Sequence, residues 1–180
     1  MILRKKRQSH SGFTMLETIV AIAVLSVGVL SLAAMLGDSL AFMESSQWDY
    51  IAQQEAAKTI ESIFTARDMG QATWASICNI GNGPSCAFTA VPTKLCAAGP
   101  DGILGTADDN CAVLDSILQP GADGTFTAPT LQPLTTFTRT ITIAPVPGVA
   151  NLNSITVTIN YRAGRFSRRY VLVTNISNFS

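Results

Sequence analysis

Between Phe13 and Leu36 the chain offers 24 residues, of which one, Glu17, is charged. A helix needs roughly 20 apolar residues at 1.5 Å each to cross a bilayer core, so this run is long enough to span one. Arg4, Lys5, Lys6 and Arg7 precede it. A basic cluster followed by an apolar run is a targeting signal before it is a fold element. By the positive-inside rule the cluster stays cytoplasmic and everything after Leu36 lies on the other side.

That asymmetry hides inside a neutral total of 12 basic and 12 acidic residues. Without the four leader cations, 8 basic residues face the 12 acids. A mildly acidic body speaks against a general nucleic-acid binder, which displaces counterions with cationic surface. The one histidine, His10, lies in the leader, so no Ser-His-Asp triad, Cys-His pair or histidine metal site can form in the body. Cys78, Cys86, Cys96 and Cys111 fall on the oxidising side, where disulfides form. Four cysteines allow three pairings. The short loops favour Cys78–Cys86 with Cys96–Cys111, while thiolate metal binding lacks any CxxC spacing.

No proline interrupts Phe13 to Arg67, and its helix-forming composition predicts one continuous helix. Its first half is apolar on all sides. Beyond Asp38, Trp48, Ala52, Ala56, Ile60, Ile63 and Phe64 recur at steps of three and four, with Glu44, Asp49, Glu55, Lys58 and Glu61 mostly elsewhere. The helix therefore begins in the membrane and ends packed on a soluble domain, with Gly70 as its stop. Residues 79–133 hold six of the eight prolines and lose all periodicity, which predicts a long loop region.

From Leu134 the pattern turns strand-like. Phe137, Ile141 and Ile143 alternate with threonines. Ile155, Val157, Ile159 and Tyr161 share one face, and Phe166, Tyr170 and Leu172 share a parity. Alternation over three runs predicts an antiparallel sheet with one buried face, its last two strands joined through Gly164. The expected fold class is α+β: a long N-terminal helix on a small C-terminal antiparallel sheet, with a disulfide-stapled loop region between. The divisions are a leader at 1–12, an apolar half-helix at 13–36, an amphipathic half at 37–70, loops at 71–133 and the sheet at 134–180. Residues 37–180 form the head.

An acid inside an apolar helix costs about 2.5–3.5 kcal/mol on insertion scales, so such residues usually have a function and a partner. No cation of the chain follows Glu17 within a turn, which leaves an intermolecular partner or one made by processing. A cut between Gly12 and Phe13 would create an α-amino group, with a reference pKa of about 7.7–8. On a neighbouring copy that amine would neutralise Glu17 and set the register between subunits.

A basic leader ending in Gly12, followed by "FTMLE" and an apolar helix, closely resembles the class III signal of type IV prepilins and pseudopilins. The resemblance implies a pilin-like fold and cleavage after Gly12 by a prepilin peptidase. It also implies N-methylation of Phe13 and a role for Glu17 in filament assembly. The stretch "LETIVAIAVLSVGVLSLAAM" looks most like the minor-pilin group called pilus-modification protein, PilV. The partners so implied are other pilin subunits, the peptidase and the inner membrane, before export to the cell surface. The chain departs from many pilins in having no proline part-way along the apolar helix.

Two further clusters stand out. "CAAGPDGILGTADDNC" places Asp101, Asp108, Asp109 and Asn110 between Cys96 and Cys111, oxygen donors of the kind Ca²⁺ accepts. The bland reading is a polar loop with Asp-Gly turns, and the EF-hand template is not met. Arg162, Arg165, Arg168 and Arg169 surround the final hairpin among aromatics. Such arginines bind nucleic acid in some proteins but more commonly cap a solvated face or pair with acids of a neighbouring subunit. The expected function is a non-enzymatic minor pilin. The alternatives are a minor pseudopilin of a type II secretion system, and a pilus-tip adhesin or DNA-uptake pilin.

Overall fold

A computed structural model describes residues 14–119, 124–125 and 129–178; Gly12 and Phe13 lie outside them. The element order is one helix, α1 (Met15–Asp68), a 3-10 turn (Trp74–Ser76) and eight strands. The strands are β1 (Thr93–Lys94), β2 (Cys96–Ala97), β3 (Asn110–Leu114), β4 (Ser116–Gln119), β5 (Thr130–Pro133), β6 (Thr138–Pro145), β7 (Leu152–Ala163) and β8 (Phe166–Ser177). The chain divides into two compact units at Met43/Glu44.

In the first unit, α1 starts where Thr14 accepts the Glu17 N–H on its side chain (3.4 Å) and on its carbonyl (3.0 Å). Thr14 is therefore the N-cap and Glu17 the third helical residue, the T-x-x-E spacing of a capping box. From Thr14 to Met43 every residue is exposed. Its hydroxyls are turned inward: Thr18 donates to the Met15 carbonyl, Ser26 to Ile22 and Ser31 to Val27, at 2.7–2.8 Å. Back-bonding of this kind hides a hydroxyl in an apolar surround. The described residues include one helix long and apolar enough to cross a membrane.

In the second unit a four-stranded antiparallel sheet has the order β1-β6-β7-β8. Ile141 pairs with Val157, and Val157 with Leu172. Alternation decides the faces: Ile155, Val157, Ile159 and Tyr161 are buried, while Thr156, Thr158 and Asn160 between them are not. The later part of α1 closes this face with Ile51, Ala52, Ala56 and Ile63. Trp48 lies 5.9 Å from Phe137, which stacks on Tyr161 at 5.3 Å. The helix ends in a Schellman motif. Gly70 at φ 72° allows Gln71 to donate to the Ala66 carbonyl and Gly70 to the Arg67 carbonyl. The architecture is α+β and pilin-like: the later part of a long N-terminal helix packs on antiparallel sheet, with two disulfides.

Three details differ from expectation. The stretch 79–133, expected as loop, contains β1–β5, strands of two to five residues. Phe166 shares the parity of Tyr170 and Leu172 but stands exposed, beyond the reach of the core. Glu55, assigned to the solvent side of α1, is buried, because it lies four residues after Ile51 on the packed stripe.

Asn79 ties the loop region to the sheet. Its amide donates to the Ile141 carbonyl at 2.8 Å and accepts the Ile143 N–H at 2.6 Å, standing in for a strand residue beside β6.

Candidate assembly site

Glu17 is the acid of the first turn of α1 and the one charged side chain between Thr14 and Gly37. There the helix dipole and the free N–H groups favour a negative charge. The Thr14 cap fixes Glu17 at the third helical position through the Glu17 backbone N–H. The exposed apolar surface around it, including Leu16, Ile19 and Val20, needs lipid or other helices to cover it. Gly12 and Phe13, the expected cleavage and methylation residues, lie outside the described residues.

The second unit is held to its part of α1 by two polar clusters. In the first, Asp49 accepts from the Tyr161 hydroxyl at 2.7 Å and from Arg168 at 2.6 Å. Burial, then the bond to Asp49, pushes the Tyr161 phenol up to about 12.

The second cluster surrounds Arg139, which sits at an inward position of β6 between Phe137 and Ile141 and is 1% exposed. It donates to Asp109 at 2.9 Å and to the Thr59 hydroxyl at 3.5 Å. Asp109 also accepts the Gly105 N–H. Lys58 pairs with Asp115 at 2.5 Å and lies 3.8 Å from Glu55. Burial first, and then the Asp115 charge, raises the Glu55 carboxyl to about 7. Burial lowers the Arg139 guanidinium and raises Asp109, outweighing their mutual attraction. Glu55 Oε2, Asp109 Oδ1 and Arg139 Nε are buried without a hydrogen-bond partner. Sequence reasoning passed over Arg139 and set Glu55 off the packed stripe. The available signal was an arginine at the inward parity of an alternating strand.

The disulfides join Cys78 to Cys86 and Cys96 to Cys111. The second closes the acidic loop. Within it Asp101 accepts the Ile103 N–H, Asp108 the Thr106 hydroxyl, and Asn110 the Ala112 N–H. The Thr106 bond lowers the Asp108 carboxyl. These side chains serve the loop's own backbone and hydroxyl, and Asp109 serves Arg139. Among the described residues no three His, Cys, Asp or Glu side chains gather as a metal-holding group.

The final hairpin turns at Gly164 (φ 60°). It brings Arg162 opposite Ser167, and Asn160 opposite Arg169. Thr136, Thr138, Asn160, Arg162, Ser167, Arg168 and Arg169 line an open concavity of about 290 Å³.

The family model of the prokaryotic N-terminal methylation motif matches residues 7–33. Compared with curated proteins and with solved structures, the chain shows no significant match. The motif points to a structural subunit rather than an enzyme, and the signal with its apolar helix fits a membrane-anchored pilin. A methylation motif at the start of such a helix indicates a type IV pilin- or pseudopilin-like protein.

Proposed function

We propose that this chain is a minor type IV pilin, a structural subunit that enters a filament or its priming complex through α1 after removal of residues 1–12. The observation that supports this above all is Glu17, the one charged residue from Phe13 to the end of the matched methylation motif at Ala33. On this reading prepilin peptidase cuts after Gly12 and methylates Phe13. The new amine of one subunit then meets the Glu17 carboxylate of another, a pairing that lowers the cost of a charge in an apolar bundle. The likeness of residues 16–35 to the pilus-modification group supports a minor rather than a major role. The head is periplasmic before assembly and lies on the cell surface afterwards. Mass spectrometry of the mature chain tests the reading. It requires an N-methylated phenylalanine from Phe13, and an uncut chain or a start near Met35 overturns it.

A further inference from the structure

We propose that the Arg162/Arg169 face of the β7–β8 hairpin is an intersubunit surface that binds the acidic stretch of α1, Asp38 to Glu44, on a second copy of this chain. This rests on the assembly reading and deepens it by naming a contact.

The hairpin already shows what its arginines do. Arg168, from the parity that faces the core, takes a carboxylate of its own α1, Asp49, at 2.6 Å. Arg162 and Arg169 have the opposite parity. They lie in the rows Arg162–Ser167 and Thr138–Asn160–Arg169, on the face turned away from the buried residues of β7. Neither has an ion pair among the described residues, nor has Arg165 in the turn. The later part of their own helix packs on the other face of the sheet, which leaves this face open to a second molecule.

The chain carries that partner. Asp38 and Glu44 are exposed and have no ion pair among the described residues. Ala41 lies three residues from each, and residues three apart are neighbours on a helix surface. The concavity beside the arginines offers Thr138, Asn160 and Ser167 as further polar contacts, and a guanidinium fork fits a carboxylate. The same face exposes Val171 (43%) and Val173 (57%), apolar area for a helix to cover. Basic and acidic patches at different places on one chain make a heterologous contact.

Full-length chains with two different tags test this when co-expressed in membranes, one carrying Ser167→Cys and the other Ala41→Cys. Oxidation is expected to give a mixed-tag disulfide dimer. Arg162→Glu with Arg169→Glu on the first chain should cut the yield about tenfold through like-charge repulsion. Adding Asp38→Lys and Glu44→Lys to the second chain should restore it. No mixed dimer, or a yield indifferent to the charge reversals, overturns the proposal, as does duplex DNA, added before oxidation, abolishing the cross-link. The mature N-terminus is read in the same samples. Correct processing without the dimer removes this contact alone, whereas the dimer in unprocessed chains removes the assembly reading instead.

Discussion

Arg139 and Asp109 meet at 2.9 Å with their side chains 1% and 8% exposed, joining the third-last strand to the disulfide-closed loop. Two charges so placed have lost most of their hydration, so each depends on the other.

Breaking this pair from one side leaves a buried charge uncompensated. Arg139→Ala is expected to cost about 3–5 kcal/mol. Arg139→Met combined with Asp109→Leu should cost much less, because apolar groups of similar volume replace both ions. Urea denaturation followed by Trp48 and Trp74 fluorescence measures both. Equal losses in the single and double variants would contradict the account.

Glu55 makes stability depend on pH. Its carboxyl rises from 4.5 to about 7 on folding, so the folded state holds the proton more tightly than the unfolded one. The associated stability is complete below pH 4.5 and declines as pH rises through 7. Full deprotonation costs on the order of 3 kcal/mol. Glu55→Gln should flatten the slope between pH 5 and about 8. A Gln variant with the parent's slope would show that another group titrates there.

Gly105 has no room for a side chain. Its φ is 89°, and a Cβ would come 2.1 Å from Ile141 Cδ1. Gly105→Ala should cost roughly 2 kcal/mol or more, from backbone strain and displaced packing together. Thermal unfolding reads the effect, with Gly102→Ala as a comparison that shares the positive φ but meets nothing within 4 Å.

The Cys96–Cys111 bond closes a 15-residue separation. Replacing both cysteines with serine should lower stability by about 3 kcal/mol through restored freedom of the unfolded chain. It should also loosen Asp109 from Arg139, so that the Arg139→Ala penalty shrinks in that background. Additive losses would mean that the loop holds its shape without the bond.

Glu17→Gln separates processing from assembly. The peptidase step should proceed, as the Phe13 N-terminus will report, while incorporation into sheared filaments falls at least about tenfold for want of a charge partner. Normal incorporation would refute the electrostatic role.

The apolar helix and strands β6–β8 were legible because each is long enough to display its period: α1 has 54 residues, β7 and β8 have 12 each. Strands β1 and β2 have two residues and cannot show an alternation. Glu55 was misplaced and Arg139 passed over for a different reason. A charged side chain reads as surface unless its surroundings are known: Arg139 meets Asp109 of the loop, and Glu55 is buried near Asp115, both remote in sequence. "TMLE" carries the T-x-x-E spacing of the Thr14 cap, legible without coordinates. The acidic loop read first as turns and second as a cation cradle, since only coordinates reveal where each carboxylate points.

Asn79 has one more consequence. β1 flanks β6 only at Thr138 and Arg139, and the Asn79 amide occupies the backbone at Ile141 and Ile143. That margin of the sheet is thereby sealed against any strand arriving from outside. At the opposite margin β8 ends the order with no strand beyond it among the described residues. Lateral extension of this sheet is consequently one-sided, and an invading strand has a single berth.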